Sequence, residues 1–135
     1  MKIAVYTIAL NEEKFVEKWY ESAKDADYLL IADTGSTDGT VEKARALGIN
    51  VVPISIKPFR FDDARNTSLA LLPEDIDLCI SLDMDEVMID GWREVLEKTT
   101  GTQLSYRYIW SWKDAAHKVP DYIYVHTKVH TRHGY

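Results

Sequence analysis

Cysteine is almost absent from this chain. Cys79 stands alone, so no disulfide framework is available, and a reducing, cytoplasmic compartment is expected. Cys79 falls within an apolar run, where a lone thiol behaves as a small hydrophobe rather than as a reactive group. Long hydrophobic runs are also missing: nothing approaches the roughly 18 consecutive apolar residues of a membrane span. Residues 1–10 are apolar behind Lys2, but they lack a small-residue cleavage site and stop at Asn11-Glu12-Glu13, so they read as a first strand rather than a secretory leader. Positive charge is scarce, with 16 lysines and arginines against 22 acidic residues and a net charge of −6, so a nucleic-acid partner is not expected. There is no internal repeat, low-complexity tract or linker. The 135 residues read as one domain with room for a core.

What is present is a regular alternation. Residues 2–8 are β-rich; Asn11 then reads as an N-cap, followed by Glu12 and Glu13 and by Phe15, Val16, Trp19 and Ala23 at helical spacing. Residues 27–32 form a second apolar strand, ending in the polar loop 33–40. Val41, Ala44 and Leu47 mark a helix that Gly48 ends. Residues 49–56 read as a third strand, and Asp62 or Asp63 as the cap of a helix that Pro73 stops. A fourth strand, 77–82, precedes a helix capped by Asp90 with Trp92, Val95 and Leu96 on one face. Strand and helix in alternation predict a mostly parallel sheet covered on both faces, with ligands beyond the carboxyl ends of the strands. That rule places residues 7–11, 33–40 and 83–86 on one rim. Residues 103–112 and 122–131, rich in tyrosine, tryptophan and β-branched residues, predict a long hairpin with Trp110 and Trp112 at its loop.

The fourth strand ends in Ser81-Leu82-Asp83-Met84-Asp85-Glu86. Two aspartates one residue apart can turn their oxygens to one hard cation, magnesium or manganese, with a phosphate alongside. Two other motifs compete. Asp33-Thr34-Gly35-Ser36 matches an aspartic-protease signature, but that fold is all-β and this loop runs directly into a helix. Asp83-Met84-Asp85-Glu86-Val87 fits the nucleophile motif of haloacid-dehalogenase phosphatases, with Asp83 attacking phosphorus; such enzymes need a later lysine and a later acidic pair. Alternation along residues 125–130 puts His126, Lys128 and His130 on one face of the last strand.

Taken together, Thr7-Ile8-Ala9-Leu10-Asn11-Glu12-Glu13, the loop 33–40, Phe61-Asp62-Asp63-Ala64-Arg65-Asn66 and Leu82-Asp83-Met84-Asp85-Glu86 resemble the family 2 glycosyltransferases of the GT-A fold, strongly over residues 2–86 and weakly beyond. The resemblance implies a GT-A-like, Rossmann-type, mostly parallel sheet flanked by helices. It divides the chain into a nucleotide-sugar-binding part, 1–100, and a C-terminal β-hairpin, 101–135, that is truncated on the acceptor and metal side. It implies inverting transfer of a hexose from a UDP-sugar of the UDP-glucose kind to an unknown saccharide, lipid or protein acceptor, with donor hydrolysis as a side reaction and Mn2+ or Mg2+ as cofactor. Thr7, Ala9, Asn11 and Glu12 would then line the nucleoside, and Asp33 would face the base. Arg65 would meet base or phosphate, Asp83 with Met84 the ribose or metal, and Asp85 the cation. His133 or His130 would supply a further metal ligand; alternatively Lys128, Arg132 and His133 would hold the diphosphate. The chain departs from the family pattern at Thr34, where many members carry a second aspartate, and in lacking the usual downstream base, for which Asp114 and Asp121 are the substitutes. A phosphatase and a non-catalytic nucleotide-sugar-binding module remain alternatives, and the oligomeric state stays open.

Overall fold

A computed structural model describes residues 1–134, with Tyr124 described by its backbone alone. The sheet has six strands in the order β3-β2-β1-β4-β6-β5. Its centre is β1 (Ile3–Ala9), which pairs in parallel with β2 (Tyr28–Asp33) on one side and β4 (Leu78–Ser81) on the other; β3 (Asn50–Pro53) extends the parallel part beyond β2. The central strands are buried on both faces, which is why they read as continuous apolar runs rather than as alternations.

Helices cover both faces. On one side α1 (Val16–Ala23), α2 (Thr40–Ala46) and α4 (Trp92–Glu97) bring Val16, Trp19, Ala23, Ala44 and Trp92 onto Ile3, Val5, Ile31 and Ile80. On the other, α3 (Phe61–Ala70) and the turn after it bring Leu69, Leu72 and Ile76 onto Ala4, Tyr6, Leu30 and Cys79. Among the described residues no helix is long and apolar enough to cross a membrane.

The hairpin is formed by β5 (Gln103–Trp112) and β6 (Pro120–Thr131). β6 runs antiparallel to β4, with Leu78 opposite Thr131 and Ile80 opposite Val129, so the hairpin continues past the carboxyl end of β4. Trp110 and Trp112 therefore lie in β5 and not in the loop.

The strands fall close to their predicted positions, whereas the helix caps differ. None of the helices has a side-chain cap of the predicted kind. Asn11 adopts a positive φ of 52° and turns its side chain to the next loop, leaving Glu12 at the start of a short 3-10 turn, Glu13–Phe15. Asp62 and Asp63 lie inside the first turn of α3 after Arg60, where they face the positive end of the helix. Gly91, with φ 80°, precedes α4 in place of Asp90; that left-handed conformation costs glycine nothing. The third strand is shorter than predicted. It ends at Pro53, which has no N–H to give the ladder.

Candidate functional site

The loops after β1 and β2 are stitched together at the carboxyl edge of the sheet. Asn11 Oδ1 accepts from the Thr37 amide at 2.8 Å and the Asp38 amide at 3.3 Å, while the Asn11 amide donates to Ser36 Oγ at 2.9 Å. The Glu12 amide donates to Thr40 Oγ1 at 3.0 Å, and the Gly39 amide to Glu13 Oε2 at 3.1 Å. Glu13 thus occupies the start of α2. A Cβ at Gly39 would stand 2.7 Å from the Glu13 carboxylate, so glycine allows that approach.

Several residues assigned to the nucleoside also serve the framework. Thr7 and Ala9 are each 3% exposed, and the Ala9 carbonyl accepts from both the amide and the hydroxyl of Thr34. Asp33 is buried at the end of β2. Its Oδ2 accepts from the Gly35 and Ser36 amides at 3.1 and 2.9 Å, and its Oδ1 accepts from the Ser36 hydroxyl, so the carboxylate closes its own loop. The protease reading has no support in this α/β architecture. Met84 points into the core cluster that holds Trp19 and Leu82 rather than to the rim.

The acidic tip of β4 separates into unlike parts. Asp83 has a cation on each oxygen: Arg65 Nη2 lies 3.5 Å from Oδ1, and Lys128 Nζ lies 3.0 Å from Oδ2. Lys128 also donates to Glu86 Oε1 at 2.7 Å, and the same oxygen accepts from the Asp83 amide at 2.9 Å. Glu86 is buried, so its charge requires this partner. Burial of Lys128 by itself would lower its pKa, but the bonds to Glu86 and Asp83 outweigh it and hold the ammonium above its ordinary value. Asp85, in contrast, is exposed, and no hydrogen bond or ion pair to it occurs among the described residues. Glu12 faces it: burial, and then the charge of Asp85, push the Glu12 carboxyl up. The tip is held from beneath by Trp19, which is fully buried and whose Nε1 donates to the Leu82 carbonyl at 3.0 Å.

Above this tip lies a cavity of about 290 Å3 lined by Arg65, Asp83, Asp85, Glu86, Tyr108, Trp110, His126 and Lys128. It combines carboxylate oxygens, two cationic side chains and aromatic rings. Oxygen donors of this kind suit a hard divalent cation, and the uncompensated charge at Asp85 and Glu12 favours one there. Among the described residues no cluster of three or more His, Cys, Asp and Glu is already arranged around a metal position.

Of the C-terminal histidines, His126 lines the cavity, whereas the two expected as metal ligands, His130 and His133, do not reach this rim. His130 lies opposite Cys79 and shares a 3.2 Å hydrogen bond with the Tyr6 hydroxyl. Its Nδ1 is 2.8 Å from the Thr131 carbonyl, which can only accept, so Nδ1 carries a proton; in the neutral ring Nε2 then accepts from Tyr6. His133 Nε2 sits 3.3 Å from the Glu74 carbonyl, in the turn before β4 and at the opposite end of the sheet from Asp85. Arg132 is with it, donating to the Leu72 carbonyl. Because β6 is antiparallel, residues after 130 lead away from the rim; sequence alone does not give that direction. Neither His133 nor Arg132 is placed for the cation or the diphosphate.

Asp114 holds the hairpin turn, accepting from the amides of Lys118 and Val119. The Val119 amide, then that of Lys118, outweighs burial and keeps its carboxyl below the ordinary carboxylate range. Asp121 is exposed on β6, seven positions before Lys128, or roughly 23 Å of strand away. Neither aspartate lines the cavity. Lys128 lies 3.0 Å from Asp83, as the later lysine of a phosphoaspartate mechanism would, but among the described residues lining the cavity no later acidic pair accompanies it.

Comparison with known proteins gives the family. The model of the family "Glycosyl transferase family 2" matches residues 4–100. Among solved structures, Mycobacterium tuberculosis glucosyl-3-phosphoglycerate synthase in complex with Mn2+, UDP and glucosyl-3-phosphoglycerate is 31% identical with a TM-score of 0.54, covering 62% of this chain and 33% of that one. Its complex with UDP gives 31% identity and a TM-score of 0.55, with coverages of 64% and 34%. The complex with Mn2+, UDP-glucose and phosphoglyceric acid gives 31% identity and 0.54, with coverages of 62% and 33%. The chain thus spans about a third of the length of these structures. Comparison with curated protein sequences gives no match. With 97 of its 135 residues inside the family match and a GT-A likeness beside it, this chain belongs to the family 2 glycosyltransferases.

Proposed function

We propose that this chain forms the donor site of a metal-dependent glycosyltransferase that uses a UDP-sugar, with a hexose such as glucose as the transferred group. The observation that carries the reading is Asp85: exposed and without a hydrogen bond or ion pair among the described residues, it faces a cavity whose other walls hold Arg65 and Lys128. A divalent cation there, Mn2+ or Mg2+, would neutralise the charge that develops on a departing nucleoside diphosphate. The residues of the chain divide the remaining tasks. Asp85 offers oxygen to the cation, with Glu12 facing it across the rim. Arg65 and Lys128 direct positive charge toward the diphosphate, while Tyr108 and Trp110 offer aromatic faces to the sugar. Inverting transfer also needs a base at the acceptor hydroxyl. Asp114 is not proposed for it, because its hydrogen bonds favour the charged form and make it a poorer base.

Calorimetry with uridine, guanosine and adenosine diphosphates, with and without Mn2+, tests the reading. UDP should bind preferentially, and Mn2+ should tighten it by about tenfold or more in the wild type but not in Asp85→Ala. Equal binding with and without Mn2+, or no nucleotide binding at all, would refute it. Release of UDP from UDP-glucose separates an enzyme from a binding module, and a phosphoenzyme trapped by beryllofluoride would support the phosphatase instead.

A further inference from the structure

Asp83 and Asp85 form one motif in the sequence, yet they differ fully in how their charge is met. Asp83 Oδ1 faces Arg65 and its Oδ2 faces Lys128, whose ammonium is held in place by buried Glu86. Glu86 in turn grips the Asp83 amide, so Lys128, Asp83 and Glu86 close a ring of hydrogen bonds. Lys128 comes from β6, a different part of the chain, and its side chain is 15% exposed, so the ammonium has little room to swing away. A cation seated on Asp83 would have to displace it or accept like-charge repulsion at close range.

We propose that Lys128 is a positioning residue that withholds Asp83 from free divalent cations, so that the rim takes up its metal on Asp85 together with the nucleoside diphosphate. Bound phosphate oxygens supply the ligands that Asp83 does not, and the same ammonium that repels a bare cation attracts the diphosphate. The inference rests on the donor-site reading above, but it makes a separate statement about metal in the absence of nucleotide.

The test is a Mn2+ titration without nucleotide, following the free aqua ion by electron paramagnetic resonance. Removing Lys128 alone would leave Glu86 buried and unpaired, so the informative variant is Lys128→Met combined with Glu86→Gln, in which the glutamine oxygen can still accept from the Asp83 amide. That double variant should bind free Mn2+ about tenfold or more tightly than the wild type, and Lys128→Arg should behave as the wild type does. Unchanged affinity in the double variant, or a wild type that already binds as tightly, overturns the proposal. Should the double variant fail to fold, Asp83→Asn in the otherwise natural chain decides the matter. Its affinity for free Mn2+ should equal that of the wild type, and a clear loss would show Asp83 to be a ligand after all. Calorimetry with UDP on the same samples keeps the two readings apart: a wild type that never binds UDP defeats the donor-site reading, whereas the Mn2+ comparison alone decides the role of Lys128.

Discussion

At the scale of single residues, Asp83 and Asp85 show what a motif does and does not convey. The sequence presents two equivalent carboxylates at a strand end. The structure makes one of them a hub for Arg65 and Lys128 and leaves the other open, because Lys128 arrives from 45 positions downstream. The pairing of Lys128 with buried Glu86 also carries a stability cost if it is broken. Lys128→Met should destabilise the fold by about 3 kcal/mol in urea denaturation, since it strands a buried carboxylate, and the added Glu86→Gln change should recover most of the loss. Cys79 gives a second residue-scale expectation. Burial raises its thiol to about 11, so thiolate reagents at pH 8 should react with it only on unfolding; fast labelling of the native chain would contradict that.

At the scale of elements, the strands were legible and the ends of the helices were not. The central strands are apolar on both faces and bounded by turn residues, and the hairpin strands are aromatic and β-branched, so both patterns speak locally. The caps depend on partners distant in sequence. Asn11 had the right chemistry for an N-cap, but the amides of residues 37 and 38 draw its oxygen into the next loop. The direction of β6 was equally hidden, and that direction sends His133 to the wrong end of the sheet for a metal. Trp19 joins α1 to the site through the Leu82 carbonyl. Trp19→Ala should therefore cost about 3–5 kcal/mol, whereas Trp19→Phe should cost roughly 1 kcal/mol and loosen the tip of β4, weakening Mn2+-dependent UDP binding beyond the stability loss. At the start of β1, Asp27 accepts from the Ile3 amide at 2.8 Å and from Arg93 at 2.9 Å. Burial opposes its charge, but the Ile3 amide and Arg93 outweigh it and hold the carboxyl below its ordinary value. Its contribution is thus present above the unfolded value and is lost as pH falls through the lower, folded one. Chemical denaturation should show Asp27→Asn and wild type converging as the pH drops below about 4, with the wild type more stable above.

At the scale of the whole molecule, the parallel sheet brings the ends of β1, β2 and β4 to one edge, and the antiparallel hairpin adds Tyr108, Trp110, His126 and Lys128 above it. The first half of that arrangement follows from strand and helix alternation and was legible. The second depends on where β6 docks, which no local pattern states. A net charge of −6 makes an unaided diphosphate an unwelcome ligand overall, so the cation and the pair Arg65 and Lys128 are central to the account. The most direct measurement is a crystal soaked with UDP and Mn2+ and examined by anomalous scattering. The account expects one manganese within coordination distance of the Asp85 carboxylate and of the diphosphate, with Lys128 still bound to Asp83. A manganese and nucleotide bound away from Asp85, or absent from this rim, would contradict it.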